Sequence, residues 1–237
     1  MTPFFRKIRK TLADDNKPIK YLRYAIGEIV LVVIGILIAL SVNSWNENRL
    51  KKEATLNYLK QIRAELTLDI EFLNDELTTS QNSISYLNLI SEGKYDGIDL
   101  SLLLYSLSQN LSHRNFGATY TKFLESGNTE YIKDVELSKK LQSYYFATCS
   151  SYNEVAEFHQ KFTSDNIEGP LLMMLNHKKN FILEPQEVIE ALENKKLLSL
   201  VNWQVSFLEY SKPRIEKNVK EANELIDLIN KSRKTKG

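Results

Sequence analysis

A chain of 237 residues, 43% hydrophobic and 26% charged with a net charge of +1, is long enough to bury a core and too apolar to be disordered. Only eight glycines and five prolines leave few places for hairpins, which argues against an all-β fold. The lone Cys149 forms no internal disulfide, and His113, His159 and His177 have no cysteines at ligand spacing, which argues against a structural zinc site.

The near-neutral total is a cancellation. Residues 1–24 carry a net +5, residues 25–42 carry only Glu28, and the remainder carries −3. The predicted elements therefore begin with a basic arm, 1–20. From Ile29 to Val42 fourteen residues hold no charge. A helix over 21–45 would be about 37 Å long and would cross a hydrocarbon core of about 30 Å. Tyr21 and Tyr24 at one end and Trp45 at the other stand where interfacial aromatic residues are expected. Ala39-Leu40-Ser41 resembles a signal-peptidase site, but the long mixed-charge leader, Glu28 and the helical pattern continuing past that point favour an uncleaved anchor. Seven basic residues precede the span, so the positive-inside rule puts the N-terminus in the cytoplasm and the remainder outside it. At 100° per residue Glu28, Gly35 and Ala39 fall on one line with Val32 beside them. A small-xxx-small pair beside an intramembrane carboxylate is expected to pair with another helix; alternatively, Glu28 snorkels to water.

Beyond Trp45, apolar residues recur at three and four positions as far as Ile90, predicting one long amphipathic helix with a weak point in the polar run 78–83. Gly93 and Gly97 mark a turn. Asp99 is expected to cap a helix reaching Leu111, with a loop over 112–117 and a short helix ending at Gly127. Asp134 opens an aromatic-rich helix that Gly169-Pro170 is expected to break. A short segment, 171–175, leads to a basic turn at His177-Lys178-Lys179, and Pro185 starts another helix. The last helix is predicted over 196–232, kinked or divided at Pro213. The fold class is all-α: one N-terminal transmembrane helix, then an elongated antiparallel helical bundle over 46–230 and a basic tail, 231–237.

No phosphate-binding glycine loop, nucleophile elbow or paired metal-binding motif is present in the sequence. No catalytic, cofactor-binding or metal residue is expected, and the bundle's acidic balance argues against nucleic acid as a partner. His159 is read as a partly buried or surface histidine and Cys149 as a small buried side chain. Tyr120, Tyr131, Tyr144, Tyr145 and Tyr152 are read first as core rings and, alternatively, as a partner surface.

The segments FFRKIRK, KYLRYAIGEIVLVVIGILIALSVNSWNENRLKKE at 20–53, YLKQIRAEL, and GATYTKFLESGNTEYIKDVELSKKLQSYY at 117–145 resemble an uncharacterised family of single-span bacterial membrane proteins with a domain of unknown function. Where that family often has Ser-Ser-Gly, this chain has Glu125-Ser126-Gly127. The resemblance implies a bacterial inner-membrane protein with a helical periplasmic domain, and no activity. The expected function is a non-enzymatic, membrane-anchored scaffold or accessory subunit of an envelope complex. Its partners would be the lipid bilayer and a second copy or another membrane protein; any small-molecule ligand is left open. A sensor-like module relaying through the anchor is the alternative, and an envelope enzyme a lesser one.

Overall fold

The computed structural model describes residues 18–174 and 185–234. Residues 1–17 of the basic arm, the turn around His177 and the last three residues lie outside them. All regular elements among the described residues are helical. The chain divides into two compact units, Met1–Ala54 and Thr55–Gly237.

In the first unit the chain is helical from Pro18, within helix α1, Pro18–Ser91. Every residue from Ile29 to Leu50 is exposed, and the most apolar 18-residue window has a mean hydropathy of 2.7 with none of it buried. The helix is therefore long and apolar enough to cross a membrane, and it is not the buried core helix that would satisfy the same hydropathy. Ser41 Oγ donates to Leu37 O at 2.7 Å, so the one polar side chain between Ile29 and Val42 adds no unpaired donor to that surface. Beyond Trp45, Arg49 pairs with Glu53 and Lys51 with Glu47, each at four-residue spacing.

The second unit is a bundle whose chain passes along α1 in alternating directions. Leu59, Ile62 and Leu66 pack with Ala222, Leu225 and Ile229, Leu73 with Ile215, and Leu87 and Ile90 with Leu197 and Val201. The last helix thus runs antiparallel to α1. After turns at Gly93 and Gly97 the chain returns as α2 (Leu100–Ser108), an extended stretch, and α3 (Ala118–Glu125). It then ascends as α4 (Val135–Ser143), a π-helical turn Tyr144–Cys149, α5 (Ser150–Thr163), a second π turn Ser164–Glu168 and α6 (Gly169–Met174). Helices α7 (Pro185–Leu192) and α8 (Lys195–Lys234) complete it.

Three local expectations change. The polar run 78–83 does not weaken α1: Thr78 Oγ1 bonds back to Asn74 O, and Ser80 and Ser83 are buried in the bundle. Helix α2 stops at Ser108 instead of reaching Leu111, because side chains from other helices bind the backbone that follows. Gly169-Pro170 does not break the ascending helix. The π turn before it carries a Gly169 N–H to Ser164 O bond, which shifts the register where proline, lacking an N–H, would interrupt an α-helical ladder. Of the two outcomes expected at Pro213, a kink or a division, the division does not occur, since Pro213 lies inside α8.

Candidate functional site

An extended backbone crossing a helical bundle leaves its N–H and C=O groups without ladder partners, and burying them unpaired is costly. Residues 109–117, partly buried, do this between α2 and α3, and side chains from α1, α5 and α8 bond six of their backbone groups. Leu111 N donates to His159 Nδ1 at 3.2 Å. His159 Nε2 lies 2.9 Å from Gln204 Oε1, and the Gln204 amide donates to Gln109 O at 2.6 Å. This chain of bonds sets the imidazole as the neutral tautomer with its hydrogen on Nε2. Ser112 N donates to Glu76 Oε2 at 3.0 Å, and the Tyr152 hydroxyl donates to Ser112 O at 3.0 Å. Asn153 binds both backbone groups of Arg114, at 3.2 and 2.8 Å.

Arg114 reaches inward from this strand. Its Nε lies 2.7 Å from Asp69 Oδ1, and its guanidinium sits over Phe72 at 4.8 Å, a cation–π contact on a mostly desolvated group. Asp69 is 1% exposed, and burial pushes its carboxyl up to about 6 despite Arg114. Burial also raises the Glu76 carboxyl, with the Ser112 N–H opposing it. Burial holds His159 down to about 4. One turn before Asp69, Glu65 accepts from Ala118 N at 3.0 Å and Thr119 N at 3.1 Å. A carboxylate from α1 thereby caps the N-terminus of α3, whose own preceding residue, Gly117, has no side chain to do so.

Gly117 is required twice over. Its φ is +76°, and a Cβ there would lie 2.6 Å from the Tyr145 ring. That ring stacks on Tyr120 at 4.8 Å and meets Tyr144 edge-on at 5.0 Å. The π turn explains how neighbours in sequence are both internal: its wider coil buries Tyr144 with Tyr145 and Thr148 with Cys149. Thr148 meets α8, donating to Glu221 at 2.6 Å. Deeper in, Asp69 Oδ2 and the hydroxyls of Tyr144 and Tyr145 are buried with no hydrogen-bond partner among the described residues.

The tyrosines read first as core rings, and alternatively as a partner surface, are mostly buried. Tyr120, Tyr144, Tyr145 and Tyr152 are buried and Tyr131 is half-buried; the exposed ring in this stretch is Phe146, at 60%. His159 is wholly buried, not partly exposed, because its ring nitrogens are bonded on both sides. Burial pushes the Cys149 thiol up to about 12, far from the thiolate that reactive cysteines use. His113 is exposed on the extended stretch. Among the anchor residues, Val32, Gly35, Ala39 and Trp45 are exposed, Tyr24 and Glu28 are half-buried, and the Tyr21 side chain lies outside the described set. Nothing lies within 4 Å of where a Gly35 Cβ would stand. The polar belt escaped sequence analysis, though a signal was present. Asp69 and Glu76 continue the stripe of Ile62, Leu66 and Leu73 at three-residue steps, where an amphipathic helix should be apolar.

The chain matches the family described as "Family of unknown function (DUF6090)" over residues 28–158. That range holds the apolar segment from Glu28, the extended stretch, Asp69, Glu76, Arg114 and Tyr152, and stops one residue before His159. Comparison with curated proteins and with solved structures gave no match.

Proposed function

Since the chain belongs to the DUF6090 family of unknown function, we propose that it is a membrane-anchored, non-enzymatic helical scaffold or accessory subunit of an envelope protein complex. The observation that carries this reading is the wholly exposed apolar run from Ile29 to Val42, a surface that water does not tolerate and a bilayer covers. The anchor is uncleaved, the basic arm is cytoplasmic, and the helical domain lies in the periplasm at the bacterial inner membrane. In the second unit four side chains of the polar belt are engaged with backbone. His159, Glu76, Asn153 and Gln204 each hold the extended stretch, which supports a structural role for the belt over a catalytic one.

Glu28, Val32, Gly35 and Ala39 form the face through which the anchor pairs with a second copy or another membrane protein. Orientation is tested with Phe146→Cys: a membrane-impermeant maleimide should label it in intact cells with a permeabilised outer membrane, while the buried Cys149 stays unlabelled. Labelling only after lysis would reverse the topology. Crosslinking and affinity purification of the full chain should recover a specific protein complex; a persistent monomer would overturn the scaffold reading. Gly35→Leu should weaken self-association in a membrane two-hybrid assay. A sensor-like role is the second reading, favoured by α1 carrying residues of both units. It requires a partner subunit to relay the signal.

A further inference from the structure

A groove of about 450 Å³ lies between α1 and α2, away from the polar belt, and all its lining residues are uncharged. Thr79, Asn82, Ser83 and Tyr86 line it from α1, and Tyr105 and Ser106 from α2. Ser83 and Ser106 are each 2% exposed, so two serines form its floor. None of these six side chains has a hydrogen-bond partner among the described residues; Ser85, which also lines the groove, bonds back to a carbonyl four residues earlier, as Ser108 does on α2. The Ser83 and Ser106 hydroxyls are not among the sealed, unpartnered polar atoms; both open onto a groove of ligand-binding size. Tyr105, 58% exposed, stands at its rim with its apolar face and hydroxyl both available.

We infer that this groove binds a neutral oligosaccharide. Its hydroxyls and the Asn82 amide both donate and accept, matching sugar hydroxyls that do the same. Tyrosine rings offer flat apolar surface to the C–H face of a pyranose. The absence of charge in the lining disfavours phosphates, carboxylates and cations. The inference rests on the second unit alone and does not depend on the anchor reading.

The test uses the full chain in lipid nanodiscs, free of glycoside detergent, titrated with chitotetraose, maltotetraose and, in a separate arm, an uncharged acetylated tetrapeptide amide. Binding of either sugar is expected with a Kd of about 1 mM or tighter. Tyr105→Ala, at an exposed position that the fold does not need, should weaken it about tenfold. Ser83→Ala and Ser106→Ala should each weaken it by about threefold or more, and Tyr210→Ala, equally exposed on α8, should leave it unchanged. Failure of both sugars to bind at about 10 mM, binding indifferent to Tyr105→Ala, or binding of the tetrapeptide instead of the sugars would overturn the proposal.

Discussion

At Asp69 and His159 burial acts on opposite charges in the same pH window. The raised Asp69 carboxyl contributes stability that is full below its ordinary 3.8 and is lost as pH rises through about 6. The lowered His159 does the reverse: its contribution is full above 6.5 and is lost as pH falls through about 4. Protonating His159 would place a hydrogen on Nδ1, where Leu111 N–H now donates. Between pH 4 and 6 the two slopes oppose each other. Asp69→Asn should therefore make the denaturant midpoint climb more steeply with pH than in the parent chain, and His159→Gln should tilt the same profile downward. Each shift should amount to roughly 2 kcal/mol across the window, measured by urea melts at several pH values; parallel profiles would refute the assignment. A second prediction concerns Gly117. Gly117→Ala must adopt a left-handed φ and displace the Tyr145 ring from 2.6 Å, and should cost about 2 to 4 kcal/mol in the same melts.

Among the elements, the second leg of the bundle is the one whose backbone is not self-sufficient. Helix α2 is capped by its own sequence, with Asp99 accepting from Ser101 N at 2.9 Å, and α4 likewise, with Asp134 accepting from Glu136 and Leu137 N–H groups. Helix α3 depends on Glu65, which is distant in sequence and contributed by α1. Glu65→Ala should then cost about 1 to 2 kcal/mol in a urea melt, and hydrogen exchange should quicken first at Ala118 and Thr119. Unchanged exchange at those two amides would show that the cap is dispensable. The two π turns serve packing in the third leg: the first brings both tyrosines of the pair inside, the second carries the helix across Pro170.

On the scale of the whole molecule, the two units satisfy their apolar surface differently. The second buries its own core in three clusters along α1, while the first leaves its apolar residues exposed. A chain beginning at Asn46 should accordingly be recovered from the soluble fraction, with helical circular dichroism and a cooperative melt near that of the full chain in nanodiscs. Aggregation of that shorter chain would show that the bundle needs the preceding segment to fold. Within the bundle, Leu66→Ala, at a site with no exposure, should cost about 2 to 5 kcal/mol, because the residue sits where α1, α4 and α8 contribute to one cluster.

What could be read from the sequence was whatever depends on near neighbours in the chain. Apolar periodicity placed the long helices, Asp99 and Asp134 announced their caps, Gly127 and the pair Gly93 and Gly97 marked turns, and the uncharged run after Glu28 marked a helix able to cross a membrane. The polar belt depends on residues 36 to 95 positions apart, from Glu76 with Ser112 to Gln204 with Gln109, and no local pattern reports such pairs. Tertiary structure decided between core and partner surface for the tyrosines, and it alone decided that His159 is sealed and that Pro170 lies within a helix. The physical reason is common to all three. A helix satisfies its own backbone, so local sequence suffices to predict it; a partly buried extended stretch, a π turn or an unpaired hydroxyl is settled only by what the other helices bring beside it.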